Sequence, residues 1–313
     1  MKFQKPKFWD YKKPNFLSYL LLPFTLPLII NNVFLKIKKK DTFYNKIKRI
    51  CVGNIYVGGT GKTPLVIKIY QILNQLNYKT AVIKKFYKNH IDEQKILNDN
   101  TKLYCLKNRT TAVYEAIKDK NDIIIFDDGL QDRSINYDLK FICFNNIKWI
   151  GNGFLIPAGP LREKVESISK YNAVFINGNE IDCTNLKQLI RGYDKNIKIF
   201  ESHYFPTNIN QFDTTEKYII FSGIGNPESF LETLIRNKIN IIKTINFPDH
   251  FNYTQKDIDK VKLQAEKLNA KIITTEKDYV KINANKNNDI MFLKIEFRIK
   301  NEEKLIDYLK LHI

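Results

Sequence analysis

Three glycines, a lysine and a threonine hydroxyl fall within Val57-Gly58-Gly59-Thr60-Gly61-Lys62-Thr63-Pro64. Residues of these types in this order suit a backbone that wraps phosphate groups. Glycines let the N–H groups turn inward, the lysine neutralises charge on the β- and γ-phosphates, and the threonine offers an oxygen to magnesium. The strict spacing G-x-x-x-x-G-K-[ST] has glycine where this chain has Tyr56, and Gly58 and Gly59 supply the freedom lost there. Tyr56, Val57, Gly58, Gly59, Thr60, Gly61, Lys62 and Thr63 are therefore the candidate nucleotide-binding residues. A second group is Asp127-Asp128-Gly129, two carboxylates of the hard-oxygen type that magnesium requires, which makes Thr63, Asp127 and Asp128 the candidate metal ligands. A third is the stretch Pro157 to Glu163, where prolines and a glycine fix the backbone and Arg162 can grip phosphate through paired donors.

Local elements must hold these groups in place. Arg49 to Val52 reads as a buried strand, and Leu65, Val66, Ile69, Ile72, Leu73 and Leu76 recur at helical spacing, so the glycine loop joins a strand to a helix N-terminus. Pro64 suits the first helical turn, and the helix dipole favours an anion there. A glycine-rich turn with no ligand is the plain alternative. Asp122 to Phe126 reads as an apolar strand running into the two carboxylates, which alone would equally describe a solvated turn. Further strand-like runs at Thr80 to Ile83, Leu139 to Phe144, Ala173 to Ile176 and Ile197 to Glu201 alternate with helical patterns. The alternation predicts an α/β fold, a mostly parallel sheet with helices on both faces, whose ligands gather at the strands' carboxyl ends. A second α/β set follows: Tyr218 to Phe221, a helix from about Pro227, Ile241 to Ile245, a helix from about Thr254, Lys271 to Thr274, and Ile290 to Leu293. The polar stretch near Pro206 to Gln211 marks the boundary, giving segments 1–40, 41–205 and 206–313.

The chain of 313 residues is long enough for a large core. Its four cysteines, Cys51, Cys105, Cys143 and Cys183, form no C-x-x-C pair and read as reduced residues of a cytosolic protein, with no zinc site implied. The formal charge of +18 comes from lysines spread along the whole chain. With no arginine-rich arm and no aromatic-studded basic strands, nucleic acid is not the expected partner. Phe16 to Ile30 is nearly all apolar, contains Pro23 and Pro27, and is bracketed by Lys12 and Lys13 before and Lys36, Lys38, Lys39 and Lys40 after. It is shorter than the ~20 residues that span a bilayer, and no small-residue cleavage site is evident. An interfacial helix on an anionic membrane is the expectation, with Leu20, Leu21, Phe24 and Leu28 in the acyl boundary, and a buried core helix is the alternative.

Taken in order, Gly53-Asn54, Gly58 to Pro64, Asp127-Asp128-Gly129-Leu130-Gln131, Gly151-Asn152-Gly153 with Pro157 to Glu163, Gly223-Ile224-Gly225-Asn226-Pro227, Phe247-Pro248-Asp249-His250 and Thr274-Thr275-Glu276-Lys277-Asp278 resemble the motif set of the tetraacyldisaccharide 4'-kinases, the lipid A 4'-kinases. The resemblance runs from residue 53 to 278. It implies a larger P-loop kinase domain and a smaller α/β domain, and a monotopic enzyme on the cytoplasmic face of the inner membrane. Such an enzyme uses ATP and magnesium to phosphorylate the 4'-hydroxyl of a tetraacylated glucosamine disaccharide 1-phosphate, giving lipid IVA. It further implies a catalytic trio of Asp92, His250 and Lys62, with Asp92, in Ile91-Asp92-Glu93-Gln94 matching a Gly-Asp-Glu-Pro motif, as the base and His250 orienting it or accepting charge, and a substrate-side pair, Arg162 and Glu163. No obligate protein partner is inferred. Read on their own, Asp92 could cap a helix before Lys95-Ile96-Leu97, and His250 could be a polar loop residue.

The chain departs from that family pattern on the acceptor side. Ser-Arg-Gly-Tyr-Gly appears as Lys84-Lys85-Phe86-Tyr87-Lys88, Asp132 replaces a histidine, and Ile91 and Gln94 replace the glycine and proline around the acidic pair. These departures motivate an alternative, a nucleotide-binding pseudokinase or ATPase switch on the same fold. Partition-type switches carry a lysine immediately before Gly-Gly-x-Gly-Lys, and this chain has Val57.

Overall fold

A computed structural model describes residues 5–30, 47–88, 90–132, 134–178, 182–282 and 287–313. Lys36, Lys38, Lys39 and Lys40, expected to flank a membrane segment, lie outside them.

Runs such as Ile-Cys-Val and Ile-Ile-Ile-Phe have no polar face, and strands of that kind need cover on both sides. They form the centre of an eight-stranded sheet in the order β12-β7-β6-β5-β1-β4-β2-β3. The strands are β1 (Lys48–Gly53), β2 (Thr80–Lys85), β3 (Leu103–Leu106), β4 (Ile123–Asp127), β5 (Leu139–Asn145), β6 (Ala173–Asn177), β7 (Lys198–Pro206) and β12 (Ile295–Ile299). β1 runs parallel to both β4 and β5, with Val52 opposite Asp127, and β2 runs parallel to β4, with Lys84 opposite Asp127. The carboxyl ends of β1, β2 and β4 therefore share one sheet edge. Helix α2 (Lys62–Gln75) buries Leu65, Val66, Ile69, Ile72 and Leu73 in the core beside them. The four-residue edge strand β3 and the strand β12 had no counterpart among the expected runs.

The second sheet, in the order β11-β10-β8-β9, comprises β8 (Lys217–Ser222), β9 (Asn240–Asn246), β10 (Lys271–Thr275) and β11 (Ile290–Leu293), all parallel. Period-two alternation sorts its core: Tyr218 and Ile220 pack with Phe230 and Leu234, whereas Ile219 and Phe221 pack with Ile258 and Val261. The covering helices are α4 (Pro227–Arg236) and α5 (Gln255–Lys267), the latter opened by a capping box between Thr254 and Asp257.

Two compact units result, residues 1–86, 97–203 and 298–313 in the first and residues 87–96 and 204–297 in the second. The chain thus passes between units at more places than the polar stretch near Pro206. Helix α3 (Ile91–Asn100) begins in the second unit, and the last helix, α6 (Glu302–His312), belongs to the first, where Lys68 pairs with Glu302 at 2.8 Å.

Within the first unit the N-terminal segment is broken, where one helix from Phe16 to Ile30 was expected. Helix α1 (Phe16–Leu20) is capped by Asn15, Pro23 lies in the first turn of a 3-10 segment at Leu22–Thr25, and residues 26–30 are helical again. Proline cannot donate its missing N–H, so each proline restarts the winding. The segment is moored by Trp9, which is buried and donates its indole N–H to the carbonyl of Pro157 at 3.0 Å. The Trp9 carbonyl accepts from the Asn152 N–H, also at 3.0 Å, and Asn152 donates its side-chain amide to Ser18 Oγ at 2.9 Å. Gly151 makes the approach possible: its φ is +59°, and a Cβ there would stand 2.1 Å from the Trp9 carbonyl oxygen. Gly151→Ala is expected to cost about 2–3 kcal/mol of stability through this clash and the left-handed backbone, to be read from urea unfolding of the full chain.

Candidate active site

The glycine loop leaves β1 and enters α2 through Gly61, whose φ of +88° places it in the left-handed region. Asn54 donates its amide to Thr60 Oγ1 at 2.9 Å, and the Val57 N–H donates to the Pro160 carbonyl at 2.9 Å. The loop is therefore held from within and from the Pro157 to Glu163 turn. Lys62 and Thr63 open the helix where its dipole is positive. Lys62 Nζ stands 3.8 Å from Asp128 Oδ1, and the Thr63 hydroxyl donates to Asp127 Oδ2 at 3.2 Å.

Asp127 is fully buried at the end of β4, and its Oδ2 also accepts from Lys84 Nζ at 2.5 Å. Its Oδ1 is buried without a hydrogen-bond partner among the described residues. A buried carboxylate oxygen left unpaired is costly unless a ligand completes it. With the Thr63 hydroxyl beside it, the donor set is all hard oxygen and fits magnesium. Asp128 has φ +55°, an unusual backbone region for a residue with a side chain, and its carboxylate meets Arg162 Nη1 at 3.1 Å. Arg162 also donates to Gln131 Oε1 at 3.1 Å, so Arg162 and the acidic pair form one network. Glu163 is turned away into the interior, where it accepts from the Tyr171 hydroxyl at 3.2 Å.

Two members of this network were not singled out in the sequence. Lys84 lies in the segment where the family's arginine-glycine motif is lost, and strand register brings it to Asp127. Arg109 donates to the Asp128 carbonyl at 2.8 Å and to Asp132 Oδ2 at 3.0 Å. Burial pushes the Asp132 carboxyl up, but hydrogen bonds from Ser134 and Arg109 outweigh it and hold the group below its ordinary value. The Asp132 that replaces a histidine thus carries its own buried arginine partner.

The second unit gathers Asp92 and His250. Asp92 sits in the first turn of α3 with its side chain buried, and His250 Nδ1 is 3.1 Å from Asp92 Oδ1 and 3.2 Å from Oδ2. Asp92 therefore engages a histidine and is not an N-cap. His250 has φ +55°, and its N–H donates to the Gly223 carbonyl at 3.1 Å. Lys277 Nζ lies 3.3 Å and Lys281 Nζ 3.4 Å from Asp92 Oδ2. Burial works to raise the Asp92 carboxyl, yet the His250 hydrogen bond and the two ammonium groups overcome it and hold the carboxyl well below the usual carboxylate range. An ionised carboxylate only accepts, so His250 donates to it from Nδ1, and the opposite nitrogen, Nε2, lies 3.7 Å from Glu93 Oε1 and 3.9 Å from Asp249 Oδ2. Lys277 and Asp278 come from the Thr274 to Asp278 motif, and Asp278 Oδ2 accepts from the Gly223 N–H at 2.9 Å. Three motifs far apart in sequence thereby converge at the ends of β8, β9 and β10.

His90, Glu93 and His250 also bring three ligand-type atoms within 4.8 Å of one another. Their geometry opposes a metal. The two imidazoles stack at 4.3 Å with planes 18° apart, so their in-plane lone pairs do not converge, and Lys277 stands 3.7 Å from Glu93. The stack instead braces the His250 ring. The four cysteines form no disulfide, and burial pushes the Cys143 thiol up to about 12.

Residues 17–313 match the family model described as Tetraacyldisaccharide-1-P 4'-kinase. The chain is 49% identical over 310 residues to the protein named tetraacyldisaccharide 4'-kinase from Pelagibacter ubique (strain HTCC1062), covering 99% of this chain and 98% of that one. It is 35% identical over 323 residues to the protein of the same name from Rickettsia canadensis (strain McKiel), covering 97% and 96%. A crystal structure described as the "apo" form of LpxK from Aquifex aeolicus in complex with ATP aligns with a TM-score of 0.70 at 20% identity, over 95% of this chain and 99% of that one, and has the same fold.

Proposed function

This chain belongs to the tetraacyldisaccharide 4'-kinase family and is an ATP-dependent lipid A 4'-kinase, and on that premise we propose how its residues divide the work. The observation that carries the proposal is the constellation of Lys62, Thr63, Asp127 and Asp128 at one sheet edge, with Asp127 Oδ1 buried and unpartnered. Backbone N–H groups from Gly58 to Thr63 cradle the triphosphate of ATP, Tyr56 and Val57 hold the start of the loop in place, and Lys62 offsets charge on the transferring phosphoryl group. Asp127, Thr63 and Asp128 would hold magnesium, which when bound would supply further neutralisation of the phosphates. Arg162 grips phosphate oxygens, while Glu163 fixes the turn that carries it through Tyr171.

The acceptor is a tetraacylated glucosamine disaccharide 1-phosphate, and the product is lipid IVA. Asp92 and His250 act as a pair on the proton of the 4'-hydroxyl. Because Asp92 is held far below the usual range it is a poor proton acceptor, and its service is to orient His250. Nε2 takes the proton, and Glu93 and Asp249 stabilise the imidazolium that forms. In outline, the 4'-oxygen forms a bond to the γ-phosphorus, the bond to the β-phosphate oxygen breaks, ADP leaves, and the proton resides on His250. Incubating the purified full chain with γ-labelled ATP, magnesium and the disaccharide 1-phosphate in detergent micelles tests the reading. Labelled phosphate on the lipid is expected, and its absence while ATP still binds would overturn it.

The N-terminal segment supports peripheral attachment to the cytoplasmic face of the inner membrane. Phe16 and Phe24 are 78% and 64% exposed, with Leu20 and Leu26 exposed beside them, and among the described residues no helix is long and apolar enough to cross a membrane. Removing the whole segment would take away the buried Trp9, so substitutions test the attachment more cleanly. Phe16→Glu with Phe24→Glu is expected to reduce co-sedimentation with anionic vesicles by about tenfold or more. Undiminished sedimentation would place the attachment elsewhere.

A further inference from the structure

Tyr56 occupies the position that the strict phosphate-loop pattern gives to glycine, and its surroundings say what it does there. The ring is only 2% exposed, and it lies against the loop: a Cβ on Gly58, whose φ is +137°, would stand 3.3 Å from the Tyr56 Cε1 atom. Its backbone bridges to Leu161, and the next N–H bonds the Pro160 carbonyl. The hydroxyl makes a short hydrogen bond with Asp10 Oδ1 and accepts from Lys5 Nζ at 2.7 Å. Lys5 and Asp10 are themselves paired at 2.6 Å, Lys5 Nζ stands 4.9 Å from the centre of the Tyr56 ring, and Lys148 reaches Asp10 Oδ2 at 3.8 Å. Neighbouring Trp9 is fixed on the same Pro157 to Leu161 turn that holds the loop.

From this geometry we propose that Lys5 and Asp10 are positioning residues for the nucleotide loop, acting through the Tyr56 hydroxyl. The inference rests on the kinase reading and deepens it. A first glycine would leave the loop free to wrap phosphates without outside support. Tyrosine restricts the backbone at that point and makes the loop's shape depend on where the ring is held. The N-terminal segment holds it. Nucleotide therefore meets a loop already in its binding shape, and loosening the hydroxyl adds an ordering cost at the moment of binding. Tyr56, Lys5 and Asp10 touch the loop and one another, so the effect belongs to nucleotide affinity more than to the chemical step.

The experiment is titration of the full-length protein with ATP and magnesium by calorimetry, paired with steady-state kinetics. Tyr56→Phe and Asp10→Asn are expected to raise the Kd for ATP by about 5–10-fold, with the change falling on the KM for ATP rather than on kcat or the acceptor KM. Lys5→Arg keeps a donor and should retain wild-type affinity, while Lys5→Met should not. A thermal melt of each variant shows that the chain is folded. ATP affinity within twofold of wild type in both folded Tyr56→Phe and Asp10→Asn would overturn the inference and leave the kinase reading intact. Failure of the unsubstituted protein to bind ATP would overturn both.

Discussion

Lys62→Ala is expected to lower kcat by on the order of 10²–10³-fold, the scale on which a preorganised charge at a developing anion acts. Lys62 is the first residue of α2, where the helix dipole already favours anions, so its ammonium adds charge at the one place where backbone donors also converge. Its loss has a second effect. Asp128, 3.8 Å away, would lose that cation and keep Arg162 beside it, and the site would become more repulsive to a triphosphate. ATP affinity should therefore fall together with kcat. Lys62→Arg should not restore turnover, because a planar guanidinium cannot take the place of a compact ammonium inside a tight loop. Steady-state kinetics with detergent-dispersed acceptor measure this, and turnover within tenfold of wild type would remove Lys62 from the catalytic set.

Asp92→Asn should cut kcat by about 10²-fold or more while leaving both KM values within a few fold, the pattern of a group whose work is done in the transition state. The amide can still meet Nδ1, but it no longer requires that nitrogen to donate, so the orientation proposed for His250 is no longer enforced. Stability also changes, with a definite sign. Asp92 is more acidic in the folded chain than its ordinary value near ~3.9, so its ionisation stabilises the fold above that pH. The contribution is lost progressively as pH falls from that ordinary value toward the lower folded one. Asp92→Asn should thus be less stable than wild type at neutral pH, with Lys277 and Lys281 left facing an amide, and the gap should narrow as pH falls below the ordinary carboxyl value. A melting temperature lowered with kcat unchanged at a temperature where the variant is folded would make Asp92 a purely structural residue.

The phosphate loop and the carboxylate pair were legible because each is written in consecutive residues. Gly58 to Thr63 carries its own backbone requirement, and Ile123 to Phe126 points its following carboxylates to a sheet edge whatever the neighbours are. Lys84 was not legible as a partner of Asp127. The two are 43 residues apart in sequence and meet only because β2 and β4 pair in one register. Arg109 and Asp132 were hidden for the same reason, and so were Lys277 and Lys281 beside Asp92. Tyr56 was visible as an exception to the motif, but its partners Lys5 and Asp10 come from a stretch whose periodicity says nothing about the loop. The apolar run from Phe16 was recognised, and its break into short turns followed from Pro23 and Pro27, which the expectation of a single helix underweighted. Strand β3 escaped because four half-buried residues at a sheet edge leave too little pattern to read.

The mooring of Trp9 on Pro157 joins residues 148 positions apart, and translation makes that distance a delay. At ~5–20 residues per second, roughly 7 to 30 seconds separate the appearance of the tryptophan from that of its receptor turn. During that interval Phe16, Leu20 and Phe24 have emerged while the turn that will hold their neighbour does not yet exist. If the segment attaches to a membrane as proposed, a ribosome held near a bilayer would present these apolar side chains to it before the chain has the means to fix its own N-terminus.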